Sequence, residues 1–144
     1  MIFMGEYNHT VDAKGRLIIP AKFRDNLGEE FVVSKGLDGC LFVHANNEWQ
    51  KFVDKLLTMP SGKKDARQFA RYFLAGAESV TVDKQGRVLL SEVLRTSAQI
   101  SKDVVVIGVG SRIEIWSRDR WEGITENIDA EEIAEQMAQL GMGI

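Results

Sequence analysis

Cysteine occurs once, at Cys40, so the chain cannot close a disulfide within itself and offers none of the paired-thiol spacings of a zinc site. Histidine is almost as scarce, with only His9 and His44. No Gly-rich phosphate loop appears, and no Ser/His/Asp order suggests an activated nucleophile. The expectation is a protein that is not an enzyme and uses no cofactor or metal. Long apolar runs are missing too: the longest, VVVIGV at 104–109, falls far short of the roughly 20 residues that span a bilayer. The opening residues MIFMGEYNH lack the basic start and apolar core of a secretory signal. A cytoplasmic protein with no membrane partner is expected. What is present, 44% hydrophobic and 27% charged residues in 144, is the composition of a folded globular chain.

An excess of positive charge is also lacking, since the net charge is −3. The deficit is local, however. Residues 122–144 carry six acids and no Lys or Arg, which leaves 18 basic and 15 acidic side chains on the rest, a balance of +3. A mildly basic body with an acidic tail neither excludes nor establishes nucleic-acid binding.

The chain says one thing twice. TVDAKGRLII at 10–19 returns as TVDKQGRVLL at 81–90. Register holds from Gly5 on Gly76 to Arg24 on Arg95, and one extra residue near 99–103 would restore it, putting Gly36 on Gly108 and Trp49 on Trp121. This is an internal duplication. Asp-x-x-Gly places Asp first and Gly fourth in a type I turn, with Gly in the left-handed conformation of a G1 bulge. Residues 7–12 and 16–20 should then form a hairpin with Ala13, Lys14 and Gly15 at its tip. A short helix should follow, with Pro20 suited to its first turn and Gly28 to its end, and Ser91 as the N-cap in the second copy. FVVSK and CLFVH read as strands, matched by VVVIGV and RIEIW, and each copy then enters a helix carrying Trp49 or Trp121.

Between the copies, Pro60 should stop one helix and Ser61 cap another, with Ala66, Phe69, Ala70 and Phe73 on one face. Residues 129–141 read as a last amphipathic helix through Ile133, Met137 and Leu140. The expected organisation is a first repeat over 1–56, a helical connector over 57–75, a second repeat over 76–128 and an acidic helix and tail over 129–144. A unit of under fifty residues buries little core alone, so two should close into one joint barrel.

The segment GEYNHTVDAKGRLIIPAKFRDNLGEEFVVSKGLDGCLFVHANNEW, with KKDARQFARYFLAGA and the second VDKQGRVLL, resembles the MraZ family along nearly the whole chain. The signature is Asp-x-x-x-Arg in each copy, here Asp12/Arg16 and Asp83/Arg87. The resemblance implies an α+β, strand-rich fold: an AbrB-like swapped-hairpin, double-psi-like barrel of two internal repeats with short helices. It further implies a transcriptional regulator, usually a repressor, associated with the nucleoid. Such a protein assembles into a ring-shaped homo-oligomer and binds double-stranded DNA upstream of the division and cell-wall gene cluster.

Asp12 and Arg16, opposite each other in the expected hairpin, admit two readings. One is an exposed cross-strand ion pair worth about 0.2–1 kcal/mol. The other is a carboxylate that orients an arginine fork toward a base edge. Family resemblance favours the second for the first copy. The expected DNA contacts are Lys14 and Arg16, then Arg24 and Lys22, then Arg87 and Lys84, with Asp12 and Asp83 as orienting carboxylates. In the second copy Gln85 stands for Lys14 and Val93 for Lys22, so the first should be the better contact. Lys64, Arg67 and Arg71 form a basic stripe that reads as a solvated face or an inter-subunit partner. A different class of function stays open: a ring-forming interaction module, or an antitoxin-like barrel acting through a protein partner.

Overall fold

The computed structural model describes residues 2–144. Each copy contributes seven elements in the same order. The first has β1 (Phe3–Thr10), β2 (Arg16–Ile18), α1 (Ala21–Leu27), β3 (Glu30–Lys35), β4 (Leu41–Ala45), α2 (Asn46–Leu57) and α3 (Lys64–Ala75). The second has β5 (Glu78–Thr81), β6 (Arg87–Leu89), α4 (Glu92–Ser97), β7 (Asp103–Gly110), β8 (Ile113–Ser117), α5 (Arg118–Thr125) and α6 (Ala130–Gln139). The helix read as a connector and the terminal helix therefore hold equivalent places.

Six antiparallel strands form one sheet in the order β1-β7-β8-β4-β3-β5, and β2 and β6 pair separately. This corrects the expected hairpin. β1 pairs along its length with β7 of the other copy, and β2 with β6 of the other copy. Within the first copy, β1 and β2 share only a bridge at Val11–Leu17 and a hydrogen bond from Asp12 N–H to the Arg16 carbonyl, 2.9 Å. The physical reason lies in burial. Leu17 and Val88 are 0% and 1% exposed, and the pairing of β2 with β6 sets them opposite each other in one core. Two three-residue strands would not hold alone. The duplication thus supplies each copy with its missing half, giving an α+β, strand-rich barrel of two repeats.

The pairings also correct the register. Asn8 faces Val105 and Ser79 faces Val32, so Val32 and Val105, 73 apart, are equivalent. Leu41 and Ile113, 72 apart, are equivalent where β4 crosses β8. The second copy therefore gains two residues before β7, and its β7–β8 loop, 109–112, is one shorter than 36–40. The two changes nearly cancel, and sequence register alone reads them as a single insertion.

Inside the barrel lie Phe23, Leu94, Phe31, Val33, Val104, Val106 and Ile115, all buried. Full burial of each such side chain contributes about 1.5–3 kcal/mol. On the sheet's outer face Phe42, Val105, Ile107 and Trp116 meet Leu56, Phe73 and Phe52 from α2 and α3, with Trp121 of α5. β7 is covered on both faces, which explains its unbroken apolar run. Ser91 caps α4 by accepting from Leu94 N–H, whereas Pro20 sits at the N-cap of α1, just before its first turn. Ser61 does not cap α3. Lys63 holds that position, and the Ser61 carbonyl instead accepts from Arg67. On α3, Ala66 and Phe73 are buried, but Phe69 is 45% exposed.

Candidate nucleic-acid interface

Each repeat's Asp-x-x-x-Arg motif folds by its own hydrogen bonds. Gly15 N–H donates to the Asp12 carbonyl at 3.0 Å, closing the turn, with Gly15 at φ 85°. Oδ1 of Asp12 accepts from the N–H groups of Lys14 and Arg16, both 2.9 Å. Oδ2 accepts from Arg16 Nε at 2.7 Å. Asp83 repeats this with Gln85 and Arg87, the Nε distance being 2.8 Å. The Arg16 backbone N–H, first of all, holds the Asp12 carboxyl below its usual range; the Arg16 side chain and Lys14 N–H add to it. The Arg87 N–H does the same at Asp83.

Because each carboxylate takes only Nε, it fixes the plane of the guanidinium and leaves the terminal nitrogens to be presented. In the first copy no side chain among the described residues accepts from them. In the second, one terminal nitrogen of Arg87 donates to Gln85 Oε1 at 2.6 Å. The replacement of Lys14 by Gln85 thus removes a cation and occupies part of the fork.

Antiparallel pairing of β2 with β6 sets Arg16 opposite Leu89 and Ile18 opposite Arg87. Alternation along a strand then puts all four on the outward face. Both arginines are partly exposed, and Ile18 and Leu89 lie between them at 45% and 59% exposure. The sequence did not reveal this common face, because it gives no partner for a three-residue strand.

The remaining expected residues divide. Lys14, Lys22 and Lys84 are exposed. Arg24 does not join the first tip: its guanidinium lies over Gly86, at the tip of the second copy. Reciprocally Arg95, outside the expected set, lies over Gly15 and donates to the Leu90 carbonyl at 3.0 Å. Each tip therefore carries its own Lys and Arg plus an arginine from the other copy's helix. The repeat alignment of Arg24 with Arg95 was the available signal. Only the exchange of strands tells which tip each serves.

Away from this face, the Cys40 thiol is buried, its pKa pushed up to about 12, and donates to the Leu37 carbonyl. No group of His, Cys, Asp or Glu among the described residues could hold a metal ion. No helix described is long and apolar enough to cross a membrane.

The family model described as "MraZ protein, putative antitoxin-like" matches the chain twice, over residues 2–72 and 73–141. The division falls in the last turn of α3, so each match covers nearly one seven-element repeat. Among curated relatives, a protein of Lachnoclostridium phytofermentans named transcriptional regulator MraZ is 58% identical, over 98% of this chain and 99% of its own. Namesakes from a Thermoanaerobacter species and from Clostridium tetani are 55% and 52% identical over 98% of this chain and all of theirs. With both repeats matched and identity above half along almost the full length, the chain belongs to the MraZ family.

Proposed function

We propose that this protein is a sequence-specific, DNA-binding transcriptional regulator that acts through the outward face of the β2–β6 ribbon. The observation that carries the reading is the Nε-only grip of Asp12 on the partly exposed Arg16, which leaves the fork's terminal nitrogens without a side-chain partner among the described residues, two positions from the exposed Lys14. A guanidinium so held matches the paired acceptors of a guanine edge in the major groove. Exposed Ile18 and Leu89 suit contact with thymine methyls. Lys14, Lys22, Lys84, Arg24 and Arg95 surround this face with charge for phosphates. The regulator names of the relatives support the same class.

The finer reading is a repressor at the promoter of the division and cell-wall gene cluster. It works as a ring-shaped homo-oligomer in the nucleoid-containing cytoplasm and binds short direct repeats. Arg16→Ala should lose specific binding to a fragment upstream of the protein's own gene, at about 1–3 kcal/mol per lost contact, with unchanged melting temperature. Gel shifts at two salt concentrations check it. The "antitoxin-like" description favours a second reading, capture of a protein partner. Steep salt dependence of promoter binding separates the two, because phosphate neutralisation releases counterions.

A further inference from the structure

The outer face of the sheet departs from its own internal symmetry at one point. By the 72-residue equivalence of β4 and β8, Phe42 answers to Glu114 and His44 to Trp116. In the second copy the pair satisfies itself, since Trp116 Nε1 donates to Glu114 Oε1 at 3.0 Å. In the first, Phe42 stands in the acceptor's place and His44 in that of the indole. The imidazole is 5% exposed, and its Nδ1 has no partner among the described residues. A buried polar atom without a partner weakens a fold, so one kept in a single copy points to a use outside the fold.

That ring lines a cleft of about 420 Å³, within the range that holds small ligands. Phe42, His44 and Phe52 give the cleft three aromatic rings, while α2 adds Lys55 and the β7–β8 loop adds Ser111 and Arg112. The acids of the cleft are already met: Glu48 by Lys51 at 3.2 Å, and Asp54 by the Gln50 amide at 2.9 Å. The donors are not. Arg112, its guanidinium carbon 4.3 Å from the Phe42 ring centre, gives Nε and one terminal nitrogen to Glu114 at 3.1 and 2.7 Å. Its other terminal nitrogen makes no hydrogen bond among the described residues, and Lys55 makes no ion pair among them. Aromatic walls suit a flat ring, and unspent N–H groups suit an anion.

We propose that this cleft binds a small planar aromatic anion, its ring laid against the Phe42 and Phe52 side and its carboxylate or phosphate held by Arg112 and Lys55. The site uses none of the residues assigned to DNA, so it stands whether or not the regulator reading holds.

Isothermal titration calorimetry of the full chain with naphthoate, and with its uncharged isostere naphthamide, tests this. Naphthoate should fill one site per chain, about tenfold more tightly than naphthamide, because only the carboxylate engages the unspent cations. Lys55→Glu and Ser111→Trp alter exposed positions and should leave the melting temperature unchanged. Lys55→Glu should weaken naphthoate about tenfold and leave naphthamide as it was. Ser111→Trp should block both probes by filling the cleft. No saturable binding of naphthoate, equal affinity for the two probes, or either variant binding naphthoate as wild type does would overturn the proposal. Arg16→Ala should bind naphthoate normally, which keeps this result apart from the fate of the DNA reading.

Discussion

Arg24 of the first repeat lies across Gly86 of the second, so close that a Cβ added there would come within 2.8 Å of Cζ. Gly15 has the matching neighbour in Arg95, and its absent Cβ would also stand 3.0 Å from the Leu90 carbonyl oxygen. That backbone cannot yield easily, because Leu90 N–H donates to the Gly15 carbonyl at 2.8 Å. Both glycines have positive φ, at 85° and 79°. Each Ala substitution should therefore lose about 1 kcal/mol to backbone strain. Gly15→Ala should lose more, by pushing on backbone, whereas Gly86→Ala pushes only a flexible side chain. Chemical denaturation of the two variants should rank them so, and equal losses would contradict the packing.

The two oxygens of Asp12 do separable work. Asp12→Asn keeps an acceptor for the Lys14 and Arg16 N–H groups but removes the charge that holds Nε. Asp12→Ala removes both. Promoter affinity should fall in the order wild type, Asn, Ala, while Asp83→Asn should matter less because Gln85 still holds Arg87. The depressed carboxyl of Asp12 is charged at neutral pH, and its hold is lost only as pH falls below the ordinary Asp range, about 3.9. Titration of this motif should leave binding unchanged between pH 8 and 5, measured by fluorescence anisotropy.

His44 gives the fold its own pH dependence. Burial among Phe42, Trp49 and Phe52, with Arg112 nearby and Glu48 opposing, lowers its pKa to about 4, and its Nδ1 has no partner among the described residues. The folded value lies below the ordinary histidine value of about 6.5, so the fold prefers the neutral ring. Its contribution is complete above about pH 6.5 and is lost progressively as pH falls toward 4, to a total of about 3 kcal/mol. His44→Phe should flatten the stability profile across that window. An unchanged slope would mean another group titrates there.

Much of this is legible in the sequence. The strands of β3, β4, β7 and β8, the short helices after each motif and the Asp-x-x-Gly turns follow from periodicity and turn chemistry. Partners did not. Alternation tells which face of β1 or β2 is buried, never which strand lies beside it, so the exchange between copies came only from the resemblance to a swapped-hairpin barrel. The common face of Arg16 and Arg87 and the placing of Arg24 stayed hidden. The two-residue gain before β7 was masked by the shortened loop after it. Amphipathicity located α6 but could not say that its apolar stripe lacks a cover within the chain.

Within one subunit the local two-fold between copies presents Arg16 and Arg87 in opposite senses, which by itself would favour a palindromic site. Sequence breaks that symmetry: Lys14 is replaced by Gln85, which takes a terminal nitrogen of Arg87, and Lys22 by Val93. The Arg16 tip should dominate, and copies related by rotation in a ring present that tip in one sense. The operator should therefore consist of short direct repeats spaced near one helical turn, about 10 base pairs, so that neighbouring tips meet one face of the duplex. Each tip is a weak contact, and linkage raises affinity only where the two spacings agree. Inserting half a turn between repeats should collapse affinity in a gel shift, while a full turn should cost less. Gln85→Lys, which frees the Arg87 fork and restores a cation, should raise affinity for a palindromic half-site pair relative to wild type. Equal binding to all three spacings would rule out linked tips, and no gain from Gln85→Lys would mean that the second tip does not reach DNA.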